Sequence, residues 1–533
     1  MAIPLENQNQ QSSTSKKNIF FYCIPAWGHT KPIPAFGYRI LETTPDTIIT
    51  VFTFSAMYPR LLKEIEKVPR EYRKRFFVID VCGPVFNPQL PLQEFELAFE
   101  ALWTGKPITC LSSGKIWTGI PKPVVAVVDP FAGYAIEAVR DVTLPSETGR
   151  LPVVAWFTAP IGPALRLFGP REIGGIGLSG KLDMKMVRNA TEKEIALRAP
   201  EFAPQKNGQV VSIPGVPEMY DYEWDPQEIP IVPTFMEEVG RLYFSVCDGL
   251  LSVTGSAYEG GAIDTARRWC HSLGHDVYPI GPLLGVDDEE KEKKASSGVI
   301  TVEDKTSTKA QAVEFLDRMQ EKYGKKSVIY MSFGTLFWPV DEQKLWAVIE
   351  ELLANETPVI FAHPSPFMKA IDEKKLAILK QSPIGMEFQY APQEAILMHP
   401  ATGWFISHGG WNSTQEGFMY KVPQIFWPFA GDQPYNAALM SQVHKAGFEL
   451  INVRTGRDGT QPPYRHKDAP VQPTFTVEAV RAEVRDLLLK LKGDEGAVVR
   501  KNYENLGKTF LTGWDKDGEA RASMEAFIKE FVH

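Results

Sequence analysis

Two histidines stand at the ends of apolar runs, and their surroundings suit different chemistry. The run Gly403–Ile406 stops at Ser407-His408, two glycines follow, and a helix is predicted to begin near Trp411 and Asn412. A strand, a glycine turn and a helix N-terminus present free backbone N–H groups, a site that favours phosphate or another anion. Asn412 and Ser413 add side-chain donors to that first turn, and His408 adds an imidazole. Ser413 and Glu416 are also spaced as a capping box, which would satisfy helix-end donors and bind nothing. Spacing alone leaves both readings open. The second histidine, His29, follows the run Asn18–Ile24 in a turn rich in Pro and Gly. There an imidazole can take a proton, although a His in such a turn is more often exposed or capping. Asp129 closes the run Pro123–Val128 ahead of Pro130 and reads equally as an N-cap with proline at N1. Because both residues close strands of one predicted sheet, contact between them is geometrically reasonable.

A longer pattern surrounds His408. Tyr390-Ala-Pro-Gln393, Ile396-Leu397, His399, Gly403, His408-Gly-Gly-Trp-Asn-Ser413, Glu416, Val422-Pro423, Trp427-Pro428 and Asp432-Gln433 stand in register. Together they resemble the signature of family-1 UDP-glycosyltransferases, called the PSPG box in plant members. There are two departures: Tyr390 stands where plant members usually carry Trp, and His408-Gly409-Gly410 where they usually carry His-Cys-Gly. Tyrosine keeps a flat π-face for stacking on uracil.

The resemblance implies roles residue by residue. Tyr390 and the backbone of Ala391 to Gln393 would meet uracil, and Glu416 the ribose hydroxyls, since a carboxylate can accept two of them. His408, Asn412 and Ser413 would face the diphosphate, with Ser332 and Thr335 of Ser-Phe-Gly-Thr. Asp432 and Gln433 would close on the sugar with Trp411 nearby, and Thr158 would touch its far hydroxyl. Trp27-Gly28-His29 and Val127-Val128-Asp129 resemble the family's general base and its orienting acid. The implied reaction is direct displacement at the anomeric carbon with inversion, without a covalent intermediate. The resemblance implies no cofactor and no metal, the UDP-sugar being a co-substrate. The Asp-Gln pair favours glucose weakly and leaves glucuronate, galactose and xylose open as alternatives.

Positioning these groups requires two series of alternating elements. Strands are predicted at Asn18–Ile24, Thr47–Phe54, Phe76–Val81, Pro123–Val128, Leu151–Phe157, Cys247–Ser252 and Val277–Ile280, with helices from Pro32 and Phe131. A second series holds strands at Ser327–Phe333, Pro358–Ala362 and Gly403–Ile406. Its helices are predicted over Ala312–Lys322, Glu342–Ala354, Val477–Lys492, Glu495–Leu506 and Gly518–Phe531. Short apolar strands alternating with amphipathic helices predict an α/β protein with parallel, doubly wound sheets. The expected plan is a polar tail over 1–17, an acceptor-binding domain over 18–285, a linker over 286–310 and a UDP-sugar-binding domain over 311–510. The helical segment 511–533 is expected to pack back on the first domain. The resemblance implies the GT-B architecture, two Rossmann-like domains facing across a cleft, where such folds bind ligands.

Composition narrows the partners. The chain has 533 residues, 44% hydrophobic and 23% charged, with a net charge of −8, which argues against a nucleic-acid partner. Five scattered cysteines (Cys23, Cys82, Cys110, Cys247, Cys270) fit reduced thiols better than a disulfide frame, so a cytoplasmic enzyme is expected. No signal-like stretch opens the sequence, and no run reaches the ~20 apolar residues of a membrane span. A monomer is expected. Asn189-Ala-Thr191 fits a glycosylation sequon that has no meaning without secretion.

Two patterns are set aside. Gly175-Ile-Gly177-Leu-Ser-Gly180 matches the dinucleotide pattern, but no strand runs into it. Cys270-His271 with His275 lacks a second ligand pair, and helix surface and turn are expected there. Aromatics such as Phe86, Phe95, Trp103, Trp117, Phe131, Phe157 and Phe168 point to a core and, for some, a lipophilic pocket. The acceptor expected is a hydroxyl-bearing phenol, flavonoid, sterol or hydroxy fatty acid. The competing reading is a non-catalytic nucleotide-sugar-binding protein on the same fold, against which His29 and Asp129 speak. A nicotinamide oxidoreductase would rest on the glycine pattern alone.

Overall fold

The computed structural model describes residues 16–84, 93–144, 149–175, 206–228, 242–284, 307–335, 337–364 and 371–533. Phe86, the 189–191 sequon, Gly177, Gly180 and most of the predicted tail and linker lie outside them. The described chain forms two compact units. One gathers Met1–Trp156, Cys247–Gly249 and Met524–His533; the other gathers Phe157–Val246 and Leu250–Ser523.

In the first unit, parallel strands stand in the order Val153–Phe157, Pro123–Val128, Lys17–Tyr22, Thr47–Thr53, Phe76–Asp80. The apolar Ile-Phe-Phe-Tyr run of the first strand is buried on both faces, as a parallel sheet requires. Alternate side chains serve opposite layers. Phe20 packs with Phe52, Phe95 and Phe99. Phe21 packs with Phe36 and Trp156, and Phe36 with Phe527 of the Glu519–Phe531 helix.

The second unit carries six parallel strands in the order Gly385–Phe388, Val359–Ala362, Val328–Ser332, Thr402–Ser407, Gln424–Phe426, Gly447–Glu449. The same alternation separates two cores. Ile329, Met331, Val359, Phe361, Trp404 and Ile406 face helices Glu342–Ala354 and Val477–Lys492 through Leu345, Val348, Val480 and Val484. Val328, Tyr330, Ile360 and Phe405 face helices Thr308–Tyr323 and Gln393–Met398 through Phe315, Leu316, Ile396 and Leu397. Side-chain caps set several helix starts: Ser307, Asp341 and Thr476 each accept first-turn backbone N–H groups. The Thr308 helix begins inside the 286–310 stretch read as linker.

Sequence order reverses once in each of these runs of strands. In the first unit the reversal falls between Lys17–Tyr22 and Pro123–Val128, and in the second between Val328–Ser332 and Thr402–Ser407. Doubly wound sheets bind ligands at such switch points, beyond the carboxyl ends of the strands.

Candidate active site

The first switch point brings His29 and Asp129 together. Tyr22 and Val128 are register partners, so the segments leaving the two strands emerge side by side. His29 lies in a single helical turn, Trp27–Thr30, leading into the Pro32–Thr43 helix. Its Nδ1 is 2.8 Å from Oδ2 of Asp129; the imidazole is 25% exposed and the carboxylate fully buried. The N-cap reading of Asp129 holds as well, because Oδ1 accepts the Phe131 N–H at 2.9 Å while Pro130 starts a 3-10 turn. One carboxylate therefore serves both readings, an oxygen for each. With Nδ1–H given to Asp129, the lone pair of His29 is on Nε2. Trp156 steadies the turn from a neighbouring strand, its indole N–H donating to the His29 carbonyl at 3.0 Å. The Phe131 ring stands edge-on to the imidazole, centroids 5.3 Å apart.

The second switch point holds His408 in a different setting. Its ring is buried, and Nδ1 makes no hydrogen bond among the described residues. Burial lowers its pKa to about 4, so the ring is neutral at physiological pH. Two glycines make room for it. A Cβ on Gly334 would fall 2.8 Å from the His408 Cε1, and one on Gly410 would collide with Nε2. Gly334 also sits at φ +72°, and Gly409 at +82°, where glycine is favoured. Ser332 ends its strand buried, and Thr335 is exposed just after Gly334.

The Trp411–Tyr420 helix starts where the glycines predict, which disposes of the capping-box reading. The N-cap is Gly410, without a side-chain cap, and Ser413 lies three residues inside. Asp432 takes the first-turn donor instead, its Oδ2 accepting the Trp411 N–H at 3.1 Å and Asn436 Nδ2 at 2.9 Å. Asn436 Nδ2 also donates to the Gly409 carbonyl, and its Oδ1 accepts Tyr258 OH. Gln433 is buried, its Oε1 accepting the Phe429 N–H. Trp411 thus meets Asp432 through its backbone N–H, and its side chain lies elsewhere. The indole is buried, bonded to the Val253 carbonyl and packed on Tyr258 at 4.5 Å.

Of the remaining predicted residues, Gln393 and Glu416 meet directly. Gln393 Nε2 donates to Glu416 Oε2 at 2.5 Å, and its Oε1 accepts Tyr330 OH at 3.0 Å. Tyr390 is 65% exposed, Ala391, Asn412 and Glu416 are partly exposed, and Ser413 and Thr158 are buried. His399 is structural: its Nδ1 accepts the Ala401 N–H, and Nε2 bonds Asp317. Cys270 is not at a helix surface as expected but fully buried in the Ser256–Ser272 helix. Sequence reading missed Gly334, the Gln393 side chain, Asn436 and Tyr258. Asn436 carried a signal, four residues after Asp432 on one helix face; Tyr258, far away in sequence, carried none. Among the described residues no group of three His, Cys, Asp or Glu could hold a metal ion, and no helix is long and apolar enough to cross a membrane.

Comparison with known proteins adds a family model and relatives. Residues 300–457 match the UDP-glucoronosyl and UDP-glucosyl transferase model. The chain is 34% identical over 542 residues to a UDP-glycosyltransferase, eriJ, of Hericium erinaceus, covering 96% of this chain and 99% of that one. A Fragaria ananassa UDP-glucose flavonoid 3-O-glucosyltransferase is 26% identical over 50% of this chain and 52% of its own length. Among solved structures, a Medicago truncatula enzyme complexed with UDP-glucose superposes with a TM-score of 0.65 at 18% identity, covering 97% of this chain and 99% of its own. A Siraitia grosvenorii transferase in complex with UDP gives 0.63 at 18% identity, with 97% and 100% covered.

Proposed function

The chain belongs to the family-1 UDP-glycosyltransferases, enzymes of GT-B fold, and on that premise we propose that it transfers glucose from UDP-glucose to a hydroxyl of a small lipophilic acceptor, with inversion. The observation that carries the reading is the 2.8 Å hydrogen bond from His29 to the buried Asp129. Asp129 fixes the tautomer, so Nε2 of His29 takes the acceptor's proton, and the carboxylate stabilises the imidazolium that forms. The acceptor oxygen bonds to the anomeric carbon as the bond to the UDP oxygen breaks. Charge gathering on the departing diphosphate is met by helix-start N–H groups beyond Gly410, with Asn412, Ser413, Ser332 and Thr335. Neutral His408 contributes a hydrogen bond there and not a full charge. Tyr390 offers uracil an exposed ring, Glu416 takes the ribose hydroxyls, and Thr158, Asp432 and Gln433 take the sugar.

Glucose and a phenolic or similar acceptor are supported by the strawberry relative's name, and a lipophilic one by Phe131 beside the imidazole. The test is incubation with UDP-glucose and a panel of phenols, flavonoids, sterols and hydroxy fatty acids, read by mass and by anomeric configuration. A β-glucoside that disappears in His29→Ala is expected. Product formed equally well by His29→Ala would overturn the assignment of the base. For the donor half, Glu416→Ala should lose UDP affinity measured by calorimetry; unchanged affinity would remove the ribose assignment.

A further inference from the structure

We propose that Glu259 is a positioning residue for sugar recognition, a buried carboxylate that ties the segment following Thr158 to the helix that begins at Gln433. The inference rests on the sugar-facing roles proposed above for Thr158, Asp432 and Gln433. Glu259 is 4% exposed, and at its position the Ser256–Ser272 helix leaves helical geometry (φ −141°, ψ 44°), turning the side chain out of the regular ladder. Its Oε1 accepts the Ile161 N–H at 2.6 Å and its Oε2 the Gly162 N–H at 3.0 Å. These donors open the Ile161–Phe168 helix, whose own N-cap, Pro160, supplies no side-chain acceptor. A carboxylate from elsewhere in the chain thus meets both the unsatisfied N–H groups and the positive end of the dipole.

The other two bonds reach elsewhere. Tyr435 OH donates to Oε2 at 2.6 Å, and Thr254 Oγ1 donates to Oε1 at 2.5 Å. Two of the four partners are backbone N–H groups that can only donate, one to each oxygen, so both oxygens are needed as acceptors. The two segments also touch directly, since a Cβ on Gly162 would collide with the Tyr435 ring. Tyr258, the preceding residue, grips the same helix through Asn436, which in turn holds Asp432. Thr158 lies three residues before Ile161, and Gln433 two before Tyr435. Loss of the carboxylate would free the two segments from one another while leaving Tyr390, Gln393 and Glu416 untouched.

Glu259→Gln turns an amide NH2 toward groups that are themselves donors, a mismatch whose cost is concentrated at this junction. Expected are a roughly tenfold rise in KM for UDP-glucose and reduced discrimination against its C4 epimer, with the UDP dissociation constant within about twofold of wild type. Tyr435→Phe keeps the ring in place and removes one bond; a roughly threefold rise in the same KM is expected, which guards against misfolding of the first variant. An unchanged KM for UDP-glucose in Tyr435→Phe, or equal weakening of UDP and UDP-glucose in both variants, would overturn the clamp. Asp432→Ala separates this from the underlying reading. If it raises the KM for UDP-glucose while the other two variants do not, only the clamp fails; if it leaves that KM intact, the sugar assignment itself falls.

Discussion

The two switch points place an imidazole at corresponding positions and treat it in opposite ways. At the first, His29 is a quarter exposed and bonded to a fully buried carboxylate. At the second, His408 is buried between glycines, its Nδ1 without a hydrogen bond among the described residues and its pKa lowered by burial to about 4. A buried anion beside an imidazole makes accepting a proton easier, whereas burial without one makes it harder. The same residue type in the same topological place is thus set beside an anion in one sheet and held neutral at physiological pH in the other. What decides is the neighbour supplied by the adjacent strand: Asp129 in one case and Gly334 in the other.

The strongest way to break this contrast is to remove the working imidazole. His29→Ala should lower kcat by about 10³-fold with UDP affinity unchanged by calorimetry, and turnover near wild type would abolish the distinction. Asp129→Asn should cost less, roughly 10²-fold in kcat, because the imidazole remains but loses its anion; steady-state rates decide this.

The second imidazole is tested through stability. Its folded pKa of about 4 lies below the ordinary imidazole value of 6.5, so between these limits the unfolded chain binds a proton that the folded chain does not. Stability is then full above pH 6.5 and declines as the pH falls toward 4, by on the order of 3 kcal/mol. His408→Gln, which cannot protonate, should flatten that part of the denaturation profile; an unchanged slope would show that the ring is not the group titrating. The smallest effect is expected from Gly334→Ala, which crowds the His408 ring and requires a left-handed φ. A loss of about 1–3 kcal/mol is expected together with weaker UDP binding, read by thermal shift with and without UDP.

The sequence exposed the contrast only in part. Both sheets were legible because parallel strands buried on two faces leave continuous apolar runs, as in Asn18–Ile24 and Ser327–Phe333. The pairing of His29 with Asp129 was legible as a possibility, since each closes such a run. Short strands such as Gln424–Phe426 and the edge strand Gly447–Glu449 were not, because three residues carry no period. Nor was the burial of the Trp411 indole, which depends on Tyr258 and Val253, more than 150 residues away. Gly334 could be read as a turn glycine, but not as the surface against which His408 lies; that relation exists only once three crossover connections have placed the strands side by side.

Phe527 completes the layer that carries Phe36 and Trp156, and Trp156 in turn holds the turn bearing His29. Chains fold largely as they are made, amino-terminal parts first, yet here the layer over the earliest strands includes a residue translated after nearly everything else. The packing beneath His29 is therefore completed late, after the last strand of the six-stranded sheet has been made.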